Sequence, residues 1–195
     1  MAQAKGKYWL AGHSDSEITY DEVKELATIS ETDFGVVSDL TATATEINNM
    51  CDASSRLVTL DSTPVSITAA THGERIMLFH KADGVVCTLP AATGTGVKYT
   101  FLIKTTVTSN NYDIKVDSAD ATMDGVAMMA QDGGGTLVCF ETAATSDSVR
   151  LDGTTQGGII GDRIELIDVG TDLWHVNVWS SATGTEASPF EALVS

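Results

Sequence analysis

The sequence predicts an all-β fold: a jelly-roll or sandwich-like antiparallel domain over residues 56–195, preceded by an N-terminal arm, residues 1–55, that contains one or two short helices. Three observations predict it. Residues 161–179, GDRIELIDVGTDLWHVNVW, have the two-residue period of a β-hairpin with one buried face. Apolar runs recur from Arg56 onward, separated by Gly, Asp, Asn, Ser or Pro clusters, at the spacing of roughly 8–12 residues usual for sandwiches. The composition is rich in Thr, Ser, Ala and Gly, with 43% hydrophobic residues and only 6% aromatics. Thr suits the exposed face of a strand and Gly the turns between strands.

In the hairpin, Ile164 and Leu166 alternate with Arg163, Glu165 and Asp168. Trp174, Val176 and Val178 alternate with His175 and Asn177, and Val169-Gly170-Thr171-Asp172 forms the turn. The other strands are expected at 56–60, 65–68, 75–80, 85–89, 99–104, 112–116, 125–129, 136–141 and 148–151. No helix-period segment separates them, which argues against a doubly wound parallel sheet.

The arm follows different rules. Residues 18–30, ITYDEVKELATIS, predict a short helix: Thr19 and Glu22 match a capping box, and Ile18, Val23 and Leu26 are its apolar contacts. A second is expected at 44–52, with Thr45 as cap and Ile47, Met50 and Cys51 as its inner face. Helices this short are not stable alone in water and need a partner surface. Tyr8, Trp9 and Leu10 form an apolar cluster among Lys, Gly, His and Ser. Such a cluster either folds back on its own domain or anchors another protein.

Charge and cysteine usage exclude several classes. The net charge is −16, with three Lys and ten acidic residues in 1–55, and eight basic and seventeen acidic residues in 56–195. That field repels nucleic acid and anionic membranes. The cysteines, Cys51, Cys87 and Cys139, are odd in number and include no CxxC. Buried free thiols in a reducing compartment are expected, not a disulfide framework. The start, MAQAKGKYWLAG, has no apolar h-region, and no run approaches the length of a membrane-spanning helix. Synthesis in the cytosol is the expectation.

No catalytic constellation stands out. There is no GxSxG elbow and no Walker A, and Gly94-Thr95-Gly96 opens a strand, which makes it a turn and not a pyrophosphate cradle. His13, His72, His80 and His175 do not pair at metal-ligand spacing, and a solvated His175 is expected. Asp117, Asp120 and Asp124 lack the alternate ligands and terminal Glu of an EF-hand and are expected to form an acidic loop. Met123, Met128 and Met129 are expected to fill the core or a subunit contact. No catalytic residue, cofactor or metal is assigned, and the chain is not expected to be an enzyme.

Three segments carry a family resemblance. Residues 40–49, LTATATEINN, look like the LTATAAELN-type segment of phage fibre and head-associated proteins. Residues 88–103, TLPAATGTGVKYTFLI, with the following TVTSNNYDIKV, and residues 151–190 are similar to small β modules of phage capsid decoration and fibre proteins. Together they resemble structural proteins of tailed bacteriophages over about three quarters of the chain. The resemblance implies an all-β homotrimer on the capsid exterior, with an arm that docks on the virion. It implies a capsid decoration (cement) protein whose partners are the major capsid protein and itself, with no nucleic acid and no membrane. Tyr8, Trp9, Leu10, Val23 and Leu26 are the expected attachment residues, and Ile47, Met50 and apolar edge residues of the β domain the expected trimer contacts. A short head or tail fibre that binds host polysaccharide is the alternative.

Overall fold

The computed structural model describes Ile47 and residues 56–194, which fall within the unit Thr45–Ser195. The candidates Tyr8, Trp9, Leu10, Val23, Leu26 and Met50 lie outside the described residues, as does Cys51. Ile47 is helical, as expected for 44–52, but is 37% exposed.

The strands are β1 (Leu57–Leu60), β2 (Val65–Ser66), β3 (Ile76–Phe79), β4 (Val85–Thr88), β5 (Lys98–Ile103), β6 (Tyr112–Lys115), β7 (Thr122–Ala130), β8 (Leu137–Glu141), β9 (Ser148–Leu151), β10 (Arg163–Gly170), β11 (Leu173–Ser181) and β12 (Phe190–Glu191). They build a seven-stranded sheet, β1-β3-β5-β10-β11-β7-β8, and a five-stranded sheet, β12-β9-β6-β4-β2. The all-β expectation holds, and two sheets share one core. The expectation of an antiparallel domain does not. β1, β3 and β5 pair in parallel, as do β2, β4 and β6, and β7 pairs in parallel with β11. The physical reason is the winding. From β1 to β6 the chain alternates between the sheets, so strands adjacent within a sheet are successive passes in one direction. Each crossover is made by a strand of the facing sheet, and no helix is needed to return the chain. β5–β10–β11, β7–β8 and β6–β9–β12 are antiparallel.

The two-residue period sets the core. In the larger sheet the register places Met77, Phe101, Ile164, Val178 and Ala127 in one row, all buried. In the smaller sheet Cys87, Ile114, Val149 and Phe190 form the facing row. Phe79 of β3 joins the layers. Its ring stacks on Tyr112 of β6 at 4.4 Å and on Phe101 at 5.5 Å, a geometry that adds to simple area burial. The Tyr112 hydroxyl lies 2.9 Å and 2.8 Å from the carbonyl oxygens of Lys81 and Thr105, and burial pushes the phenol up to about 12. Gly125 is required where β7 meets β11. A Cβ there would sit 1.7 Å from the Val176 carbonyl oxygen, so any side chain forces the strands apart.

The 161–179 hairpin forms as expected, with Ile164 opposite Val178 and Leu166 opposite Val176. Its outer alternation is corrected at one residue. Asp168 lies in phase with Ile164 and Leu166 and is 3% exposed, not on the solvent face. The one helix within residues 56–194, α1 (Ala69–His72), falls where no helix was expected. It is a single turn capped by the Thr68 hydroxyl, which accepts from the Thr71 amide. His72 Nδ1 accepts from the Thr68 amide at 3.0 Å, and burial holds this imidazole below its ordinary value.

Candidate assembly surface

The outer face of the seven-stranded sheet is the candidate site, because its side chains are not those of an ordinary solvated face. One row across all seven strands reads Thr59, Leu78, Leu102, Arg163, Trp179, Met128 and Cys139. The next reads Leu57, Ile76, Thr100, Glu165, Asn177, Val126 and Glu141. Eight of these fourteen are Leu, Ile, Val, Met, Trp or Cys, so this sheet is apolar on both faces. Sheets patterned that way are usually covered on both sides.

Two hollows divide this face. The first, about 520 Å³, is lined by Met128, Ala130, Leu137, Ile160, Trp179 and their neighbours Gly161, Asp162, Ser180 and Ser181. Leu137 is 56% exposed and Ile160 66% exposed at its rim. Leu137 belongs to β8, the edge of the sheet, whose outward backbone groups have no ladder partner among the described residues. The second, about 490 Å³, is lined by Arg56, Glu74, Arg75, Ile76, Lys98, Thr100, Leu102 and Arg163. Arg163 stands between the two, its guanidinium 5.3 Å from the Trp179 ring centroid and 2.7 Å from the Glu165 carboxylate.

Three buried or half-buried aspartates fix loops next to the strands. Asp168 accepts from the amides of Thr93, Gly94 and Thr95 at 2.9, 2.6 and 3.0 Å and from the Thr95 hydroxyl at 2.7 Å. Gly94 takes φ +82°, a conformation that the turn requires and glycine supplies. Burial pushes the Asp168 carboxyl up, but the four hydrogen bonds outweigh it and hold the group below the usual carboxylate range. Asp152 accepts from the amides of Thr154 and Gln156 and from the hydroxyls of Thr154 and Thr155, with the same net direction. Asp162 accepts from the amides of Gly158, Ile159 and Ser181 and from the Ser181 hydroxyl. There burial wins and pushes the carboxyl up. In the smaller sheet Arg150 forks onto Asp113 at 2.9 and 3.1 Å, which raises the guanidinium further above its ordinary value, and Asp147 accepts from the amides of Leu193 and Val194.

Gly94-Thr95-Gly96 is a turn, tied to β10 by Asp168. Met123 and Met129 are core residues, while Met128 lines the apolar hollow. His175 sits on the outer face, with Nε2 3.0 Å from Asn177 Nδ2. Cys87 is buried, and burial together with the Asp113 carboxylate pushes its thiol up to about 12. Cys139, expected to be buried, is exposed, because β8 is an edge strand and its outer residues have no cover. Among the described residues no three His, Cys, Asp or Glu side chains converge as a metal set, and no helix is long and apolar enough to cross a membrane. The residues that sequence reasoning missed are Leu137, Ile160 and Trp179, together with the basic set around Lys98. No protein-family model, curated protein or solved structure matches the chain.

Proposed function

We propose that the chain is a virion structural protein of a tailed bacteriophage, a capsid decoration (cement) protein that assembles as a homotrimer on the outer shell. The observation that carries this reading is the seven-stranded sheet with two apolar faces. In a chain of net charge −16 such an outer face serves contact with another subunit better than contact with water. The apolar hollow and the β8 edge are the contact assigned to a second copy, and trimerisation covers both. The sequence resemblance over residues 40–49, 88–103 and 151–190 supports the same reading. The protein is made in the host cytoplasm and resides on the capsid exterior.

The mechanism is mass action. A protein that binds only the assembled shell stabilises it by RT ln(1 + [L]/Kd) at each site, about 2.7 kcal/mol when the free concentration is a hundred times Kd. Three arms on one trimer add avidity without new contacts. Attachment is assigned to the arm, with Tyr8, Trp9 and Leu10 as the anchor and Val23 and Leu26 beside them. Ile47 and Met50 are assigned to the trimer contact. Deleting residues 1–17 is expected to abolish co-sedimentation with capsid shells while leaving a folded trimer. Shell binding at wild-type level by the truncated chain contradicts the anchor. A short head or tail fibre remains the second reading. The second hollow on the outer face is the observation in its favour.

A further inference from the structure

The chain contains four Asp-Gly pairs, at 83–84, 124–125, 132–133 and 152–153, and no Asn-Gly. In such a pair the glycine nitrogen can attack the carboxyl of the preceding aspartate, because no Cβ hinders the approach. The attacking amide must be free of other bonds and its backbone free to turn, so the fold decides which pairs react. Three are locked. Gly84 is buried, its amide donates to the Lys81 carbonyl at 3.1 Å, and a Cβ there would sit 2.5 Å from the Asn111 carbonyl oxygen. Gly125 lies within β7, and its amide donates to the Thr142 hydroxyl at 3.0 Å. The Gly153 amide donates to the Gly157 carbonyl at 2.7 Å, and the Asp152 carboxylate is itself held by Thr154, Thr155 and Gln156. Asp132-Gly133 differs on each count. It lies in the connection between β7 and β8, where residues 132–136 are all exposed. Among the described residues no hydrogen bond involves the Gly133 amide or the Asp132 carboxylate. Gly133, Gly134 and Gly135 take φ of +82°, +71° and +106°, and apart from chain neighbours no atom lies within 4 Å of a Cβ placed on any of them. The Gln131 amide donates to the Thr136 carbonyl at 3.1 Å and the Gly134 amide to the Gln131 carbonyl at 2.9 Å, and neither bond uses a reacting atom.

We propose that Asp132-Gly133 is a self-modification site, at which aspartate converts spontaneously to isoaspartate. The Gly133 nitrogen bonds to Cγ of the protonated Asp132 carboxyl. The carboxyl hydroxyl leaves with the amide proton as water, and a five-membered succinimide closes. Water then adds back to the ring. Breaking the bond between nitrogen and Cγ restores aspartate. Breaking the bond between nitrogen and the Asp132 main-chain carbonyl carbon leaves the chain running through Cγ, with a free carboxylate on Cα. The water lost in the first step returns in the second, so the mass is unchanged and no oxidant, reductant or other co-reactant is needed. The product carries one more carbon in the main chain between β7 and β8. β8 ends the seven-stranded sheet and pairs with β7, so the extra carbon enters the connection that sets its register. The site is a property of the single chain and does not depend on whether the protein decorates a shell or forms a fibre.

The test incubates the full-length protein in neutral buffer at body temperature for several weeks. Digestion and electron-transfer fragmentation then distinguish isoaspartate from aspartate at each of the four pairs. Isoaspartate at Asp132 is expected to exceed that at Asp83, Asp124 or Asp152 at least about tenfold, because those three must first open locally. The same chain incubated in urea is expected to lose this preference, with the four pairs reacting alike. Asp132→Glu, which would have to close a six-membered ring, is expected to abolish the modification at this position and to leave thermal unfolding unchanged. No isoaspartate at Asp132 in the folded chain, an amount there no greater than at the other three, or the same preference in urea overturns the inference. None of these outcomes bears on trimerisation or shell binding, which are read separately.

Discussion

Asp168→Ala is expected to lower the free energy of unfolding by about 3–4 kcal/mol, read by urea denaturation with an unchanged m-value. The carboxylate accepts from three consecutive amides, those of Thr93, Gly94 and Thr95, and from the Thr95 hydroxyl. Hydrogen bonds to a charged group are worth about 1.5–3 kcal/mol each, but the loop can open and let water reach part of the freed amides. The total therefore falls below the sum of four. The same variant changes the acid limb of stability. Asp168 and Asp152 are held below the ordinary value of 3.8, so their contribution is full above 3.8 and is lost as the pH falls through their lower folded values. Asp162 is raised and acts in the opposite sense, its contribution full below 3.8 and lost as the pH rises through its folded value. Asp168→Asn keeps the side-chain shape and removes one titration, so its stability is expected to fall less steeply below pH 3.8 than that of the wild type. A loss under about 0.5 kcal/mol in Asp168→Ala, the range of an ordinary surface change, contradicts the clamp.

Leu137→Asp combined with Ile160→Asp is expected to convert the proposed trimer into a folded 20.5 kDa monomer. Both side chains are more than half exposed in the single chain, so the fold itself loses little. In the assembled state each aspartate would be desolvated without a partner, which raises the dissociation constant at least about a hundredfold, or about 2.7 kcal/mol. Sedimentation velocity reads the mass and thermal unfolding reads the fold. Cys139 adds an independent readout on the same row as Met128. Its thiol is expected to be shielded from a maleimide in the trimer and to react quickly in the variant, while Cys87 stays unreactive in both because it is buried. A wild-type chain that is monomeric at micromolar concentration contradicts the subunit contact, as does a double variant that remains trimeric.

Local pattern carried much of the fold. β9, Ser148–Leu151, matches the expected strand residue for residue, and the Ile164 and Val178 pairing follows from alternation alone. The direction of pairing was not legible. Leu57, Ile76 and Thr100 stack as successive passes 19 and 24 residues apart, and no short-range signal ties such distant segments in parallel. β12, Phe190–Glu191, is two residues long, too short for any period to appear. α1 is one turn set by a Thr68 cap and a buried His72, a tertiary effect rather than a propensity.

The site was legible only in part. Apolar edge residues were expected at a subunit contact; Leu137 lies on the edge strand β8 and Ile160 in the turn before β10, and nothing local marks β8 as an edge. Trp179 and Met128 alternate correctly with core residues, yet which face of a two-faced apolar sheet meets solvent is decided by the second sheet. The second hollow joins residues from 56 to 163, and only the sheet register brings them together. Asp168 did leave a signal. It is the polar residue in phase with Ile164 and Leu166, and a charge on a buried phase implies donors waiting for it.

As a proposed decoration protein, this chain would coat a phage shell in many copies. Quantitative mass spectrometry of purified virions, with the chain counted against the major capsid protein, tests it most directly. Hundreds of copies per particle, in a simple ratio to the capsid subunit, are the predicted result. A handful of copies would assign the protein to a fibre or tail, and its absence from the particle would contradict the virion reading altogether.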